Sequence, residues 1–191
     1  MRLPRRTTLL GLLLAPVAAH AQDAALARIM AGLAAVRQRR STFTEDKAIP
    51  ELDLPLPSEG TLSWIAPDRL EKHTTWPIEE RISVAGGRLT YERPDRGIRR
   101  DFPLDEQPEM AALVEAIRGT LAGDVAALRR HYEVEFAMQR DGSWRMVLVP
   151  ISLRVRGAVQ RIVITGEGSE IRGVDTEGNG GVTRMRIAPA P

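Results

Sequence analysis

The chain predicts an α+β domain built on an antiparallel meander, and three observations carry that prediction. Residues 60–94 read as four short strands laid end to end, with large side chains recurring at two-residue spacing: Leu62 with Trp64, Ile82 with Val84, Leu89 with Tyr91. Leu70, Lys72, Thr74 and Trp76 share a face in the same way, apolar only at the two ends. The breaks fall at Ala66-Pro67-Asp68, Trp76-Pro77 and Gly86-Gly87, the last where a tight hairpin turn needs positive φ. Apolar stripes at helical spacing flank the meander on both sides.

The elements follow in order. Asp23 is placed to cap a helix running to about residue 40, with Leu26, Ile29, Met30, Leu33 and Val36 on one stripe. A first strand over 41–49 precedes a Pro-rich bend over 50–57, and the meander comes next. The turn Pro94-Asp95-Arg96-Gly97 leads into a strand over 98–102. Two helices are expected, 109–121 with Met110, Leu113, Val114, Ile117 and Leu121 apolar, and 124–131 capped by Asp124. Strands resume at 132–138, 144–149, 160–165, 171–176 and 182–187, which brings the count to about nine to eleven. No internal repeat or long low-complexity segment interrupts the pattern, so one domain is expected.

The N-terminus reads as an export signal. Arg2, Arg5 and Arg6 form a basic region, residues 9–15 a short apolar run, and Ala19-His20-Ala21 a small-x-small cleavage site. A membrane span needs about 20 apolar residues, and this run is far shorter. Residues 1–21 are therefore expected to be a cleaved signal peptide, with Arg5-Arg6 leaving open the twin-arginine route. No cysteine follows the site, so lipidation there is excluded.

Cleavage changes the charge argument. The full chain holds 27 Lys and Arg against 25 Asp and Glu. Three of the arginines and none of the acids precede Gln22, leaving 24 against 25 and a net charge of −1. That balance gives no invitation to nucleic acid. The absence of cysteine rules out disulfides, zinc–thiolate sites and cysteine nucleophiles.

Catalytic constellations are weak. His73 and His131 are the histidines beyond the leader, and neither stands in a metal-binding motif. Ser169 lies in a hairpin-like Gly-Glu-Gly-Ser-Glu run without the nucleophile pattern. Glu133 and Glu135 share a strand face beside Arg129 and Arg130, which reads as a solvated edge. No catalytic residue, metal site or cofactor is expected.

The order Gly60-x-Leu62-x-Trp64-x-x-Pro67-x-Arg69-Leu70, a strand ending near Pro77, a strand with Val84, the glycine turn and Leu89-x-Tyr91 resembles the outer-membrane lipoprotein carrier (LolA-type) family. Phe43-Thr44-Glu45-Asp46-Lys47 stands where that family has its first strand. The likeness is dense over 58–94 and loose over 41–187. It implies a single domain over 22–191, a curved, incomplete antiparallel β-barrel covered by a helical lid. The implied function is that of a soluble, monomeric periplasmic carrier of the acyl chains of a lipid-modified molecule. Such a carrier takes its acylated cargo from an inner-membrane donor to an outer-membrane acceptor without chemistry. The low aromatic content and the run over 105–122 resemble a LolA-related branch associated with aryl-polyene or related lipid-pigment pathways. That branch implies a lipid-linked product rather than a lipoprotein.

Within this resemblance, the apolar faces supply the expected cargo contacts: Phe43, Leu62, Trp64, Leu70, Trp76, Ile82, Val84, Leu89 and Tyr91 from the early strands. Leu113, Val114 and Ile117 would form the lid face, and Val134, Phe136, Trp144 and Met146 would join from later strands. Replacing Trp64 by Glu is expected to abolish acyl binding without unfolding, as for a cavity wall. Arg69, at the start of a strand beside the proline corner, is the candidate lid lock, placed to hydrogen-bond backbone carbonyls or a carboxylate. The family's Arg immediately before that proline is Ala66 here, a departure implying that the chain locks differently or carries another cargo. An exported protein-binding β-domain, holding its partner by strand addition or an apolar patch, accounts for the same features.

Overall fold

The computed structural model describes residues 15–190, with side chains described from Gln22 onward apart from Glu109. The basic region and nearly all of the apolar run of the expected signal lie outside those residues. Helix α1 (Ala15–Ala35) leads into β1 (Gln38–Ala48), β2 (Leu56–Ile65), β3 (Arg69–Trp76), β4 (Glu80–Ala85), β5 (Arg88–Arg93) and β6 (Ile98–Pro103). Helices α2 (Pro108–Leu121) and α3 (Val125–His131) follow, then β7 (Tyr132–Met138), β8 (Ser143–Pro150) and the short α4 (Leu153–Arg156). Strands β9 (Val159–Glu167), β10 (Glu170–Gly178) and β11 (Gly181–Pro189) complete the chain.

All eleven strands form one curved, unclosed antiparallel sheet, ordered β6-β5-β4-β3-β2-β1-β11-β10-β9-β8-β7. Two meanders meet where β1 pairs with both β2 and β11. The free edges are β6 and β7, which are consecutive in sequence but lie at opposite ends of the sheet. The connection between them must cross the sheet, and α2 and α3 make that crossing. The lid position of α2 is thus a consequence of topology.

Local chemistry explains most boundaries. Gly86 and Gly87 adopt φ of +55° and +73°, the positive pair that a two-residue hairpin turn demands. Asp124 caps α3, its Oδ1 accepting from the Ala127 N–H at 2.8 Å. The first helix differs from expectation. It begins before Asp23, which therefore sits inside it rather than at its cap, and it ends at Ala35. Residues Gln38 to Arg40 instead pair with Ile65 to Ser63 of β2. A ladder partner satisfies their backbone, and tertiary pairing overrides a weak helical preference. The expected bend is also shorter, because Leu56 and Pro57 already pair with Lys47 and Asp46. Pro57 is tolerated there, next to the strand's start.

The interior divides into two unequal parts. In the main cluster Leu26, Met30 and Leu33 of α1, Ala116 of α2 and Leu128 of α3 pack on Trp144, Met146, Leu148, Ile162 and Ile164. The smaller cluster joins Val84, Leu89 and Leu104 to Val114 of α2. Three helices fill one half of the concave face, whereas α2 alone roofs the other.

Candidate functional site

Between the concave face and α2 lies a cavity of about 420 Å³, within the ~300–1,000 Å³ usual for small-molecule sites. Strand alternation decides what reaches it. Arg39, Ser41, Glu45 and Lys47 come from β1, Leu62 and Trp64 from β2, Leu70 and Lys72 from β3, Ile82 and Val84 from β4. The register aligns these in rows: Arg39 opposite Trp64, Trp64 opposite Leu70, Leu70 opposite Val84. Ile171, Val174 and Thr176 of β10 and Thr183, Met185 and Ile187 of β11 form the far wall. Met110, Leu113, Val114, Ile117 and Leu121 form the roof.

Half of the side chains named from the sequence meet in this space: Leu62, Trp64, Leu70, Ile82, Val84, Leu113, Val114 and Ile117. The others are placed elsewhere, each for a visible reason. Trp144 and Met146 are 1 % exposed inside the main cluster, covered by the helices. Val134 and Phe136 pack against that cluster, the Phe136 ring stacking on Trp144 at 6.4 Å between centroids. Leu89 and Tyr91 belong to the smaller cluster. The Tyr91 hydroxyl donates to Glu80 at 2.9 Å. Its partial burial and that carboxylate both raise the phenol's pKa. Phe43 shares the inner face, yet it is buried beneath Lys72, whose Nζ stands 4.9 Å from the ring centroid. Trp76 is half exposed at the end of β3, past the register shift at Glu59/Gly60.

Two expectations need correction. Trp64 is 3 % exposed and part of the main cluster as well as the cavity wall, so it is not free to accept a charge. Arg69 alternates with Leu70 and is exposed on the opposite face of β3, with no side-chain partner among the described residues. It is not placed to lock the lid. The contact that ties α2 to the sheet comes instead from Tyr132 at the start of β7, whose hydroxyl donates to the Ala112 carbonyl of α2. Burial raises the Tyr132 phenol well above its ordinary pKa, so it remains a donor.

Sequence reasoning missed the polar members of the cavity. Lys72 Nζ contacts Glu45 at 2.7 and 2.8 Å above Phe43. Arg39 Nη1 stands 3.4 Å from Glu170 Oε2. Two buried donors, Arg39 Nη1 and Trp64 Nε1, lack a hydrogen-bond acceptor among the described residues. The signal that could have found these side chains was present: Arg39, Ser41, Phe43, Glu45 and Lys47 alternate in register with Thr183, Met185 and Ile187.

A more open depression of about 510 Å³ crosses the outward face, bordered by Thr42, Thr44, Thr61, Thr75 and Arg186. Phe43, Ile187 and Ala188 also border it, but no helix roofs it, so the roofed and more extensively apolar space is the better candidate. The titratable groups considered from the sequence are outside both spaces. His73 contacts Glu79 at 3.0 Å, His131 is exposed, and exposed Glu133 pairs with Arg156 at 3.1 Å. Among the described residues, no cluster of His, Asp and Glu is arranged to hold a metal ion, and no helix is long and apolar enough to cross a membrane.

An open, curved sheet roofed by a helix over an apolar cavity defines the class of fold. The chain belongs to the family described as outer membrane lipoprotein carrier protein LolA-like, whose profile matches residues 16–190. No curated protein matches the chain by sequence. Among solved structures it is similar to a LolA superfamily protein from Nitrosomonas europaea, with 12% identity, a TM-score of 0.44 and coverage of 84% of this chain and 90% of that one. It is also similar to a chain of the CwlD amidase–GerS lipoprotein complex from Clostridioides difficile, at 11% identity and a TM-score of 0.40, covering 99% and 96%. The assignment rests on the family profile.

Proposed function

We propose that the protein is a periplasmic carrier that shelters the acyl chains of a lipid-modified molecule, a lipoprotein or a lipid-linked product, on its way toward the outer membrane. The observation that carries this reading is the apolar cavity under α2. Each methylene moved into water costs about 0.8 kcal/mol, so an acylated cargo needs an apolar enclosure to cross an aqueous compartment. The roof is one helix tied to the sheet by few polar contacts, which suits loading and release. Cargo passes from an inner-membrane donor to an outer-membrane acceptor, and no chemistry is assigned to the chain. Export by a signal ending at Ala21 fits this role, because the buried α1 side chains Leu26, Met30 and Leu33 all follow Gln22.

The test is native mass spectrometry of protein purified from periplasm, followed by lipid extraction. Bound acyl material is the expected result. A clean apo mass together with no uptake of a fluorescent acyl probe would reject the carrier.

A second reading has its own observation. Leu52, Leu54 and Leu56, from the β1–β2 connection and the start of β2, and Trp76 and Ile78 at the β3–β4 turn are exposed at the same end of the sheet. Such a patch suits a protein partner. In that case the apo protein would capture a partner with the cavity unused, and substitutions in the cavity would leave capture unchanged.

A further inference from the structure

Arg39 and Trp64 are direct cross-strand partners and both line the cavity, and side chains so paired project from Cβ atoms about 5 Å apart. Trp64 is 3 % exposed and the Arg39 side chain 13 %. Both carry a buried N–H, Nε1 and Nη1, without a hydrogen-bond acceptor among the described residues. Buried donors left unmatched cost about 1–3 kcal/mol each, and native interiors hold few of them. Arg39 has one long contact, 3.4 Å to Glu170, whose side chain is 39 % exposed on the solvent side. A guanidinium offers five donors, and no other side-chain partner of Arg39 is found among the described residues. Lys72 and Glu45 differ in kind, because they already satisfy each other at 2.7 Å.

We propose that Arg39 and Trp64 form an anion station, binding the carboxylate or phosphate head of a single-chain amphiphile that enters head first. The tail then lies against Leu62, Leu70, Ile82 and Leu113, which line the adjoining wall and roof. A methyl terminus at this end leaves both donors unmatched and a neutral ester offers them only an uncharged carbonyl, whereas an anionic oxygen accepts from both through the stronger charge-assisted bonds. The volume agrees: about 420 Å³ lies toward the lower end of the ~300–1,000 Å³ range, which fits one chain better than two or three. This inference rests on the reading of the cavity as an acyl-chain site and places in it a single-chain acid in place of a multiply acylated lipoprotein.

The experiment is displacement of a fluorescent acyl probe by laurate, dodecyl phosphate and methyl laurate, the two acids kept below their micelle concentrations and the ester below its solubility limit. Laurate or dodecyl phosphate is expected to bind about tenfold or more tightly than the ester, and the tighter of the two identifies the head. Arg39→Gln and Trp64→Phe are each expected to reduce that preference toward unity. The Trp64→Phe variant keeps an aromatic wall, and the comparison of ligands on the unaltered protein needs no variant at all. Equal affinity for acid and ester, or a preference that survives both substitutions, overturns the anion station and leaves the carrier standing. Failure of every ligand and of the probe overturns both.

Discussion

Trp64 is wall and core at once, and that double role decides what its replacement does. Its face borders the cavity, but its ring is also packed within the cluster that holds Trp144, Leu121 and Ile171. A glutamate there would place a carboxylate in the main core, so Trp64→Glu is expected to lose at least the ~3–5 kcal/mol typical of large core truncations. Leu62 offers the cleaner probe. It lines the cavity, is only partly buried, and belongs to neither cluster. Leu62→Glu should keep its midpoint within a few degrees of wild type, since about 1 kcal/mol shifts a domain of this size by roughly 2–4 °C. Its uptake of an acyl probe should fall sharply. Thermal melts and probe titrations on both variants read this out; a Leu62→Glu protein that unfolds, or a folded one that binds normally, contradicts the assignment.

At the scale of elements, α2 is both roof and bridge between the two sheet edges, and Tyr132 is its polar tie. Tyr132→Phe removes the donor while Ala112 remains within the helix, so the expected cost is about 0.5–1.5 kcal/mol. Probe exchange should accelerate, because a looser roof opens more often; unchanged exchange would show that α2 is held by packing alone. The outer hairpin of β5 and β6 has its own electrostatic tie. Asp101 accepts from Arg88 and Thr90, and the Arg88 hydrogen bond, ahead of Thr90, holds its carboxyl below the ordinary value. A depressed folded pKa contributes stability that is present above the unfolded value, near ~3.9, and is lost as pH falls through the folded one. Melting curves of wild type and Asp101→Asn should therefore separate above about pH 4 and converge in stronger acid. Curves that stay parallel across that window would remove Asp101 from the account.

These elements also show what the sequence could disclose. The two-residue spacing of Leu62 and Trp64, Ile82 and Val84, and the helical stripe of Leu113, Val114 and Ile117, located one wall and the roof, because burial on one face imprints that period. The same period is present in β1, but Arg39, Glu45 and Lys47 are inward and charged, so polarity disguised the face. Nor could periodicity distinguish Leu62 from Met146. Both alternate inward; one meets a cavity and the other a helix, and that depends on where α1 and α3 settle. Arg69 was misplaced for a related reason: adjacency to the proline corner says nothing about face, and one residue of register reverses it.

Taken whole, the molecule joins a dense half to a sparse one through the β1–β11 and β1–β2 pairings. On the dense side, α1, α2 and α3 cover β7 to β10 with buried Met30, Leu33, Leu128, Leu148 and Ile162. On the sparse side, β2 to β4 face the cavity and the N-terminal part of α2 rests on a small cluster of Val84, Leu89, Leu104 and Val114. Opening free energies follow local burial, so the two halves should not share one stability. Amide exchange is expected to be slowest in β8 and β9 and appreciably faster in β3 to β6 and in α2. Saturation with an acyl ligand supplies the missing apolar neighbours only where the cavity lies. It should slow exchange in β1 to β4, α2, β10 and β11 while leaving β8 and β9 nearly unchanged. Uniform protection throughout the sheet would mean that ligand stabilises the fold globally. Protection confined to the β1–β2 and β3–β4 connections would shift the binding site to the exposed apolar end and favour a protein partner over lipid cargo.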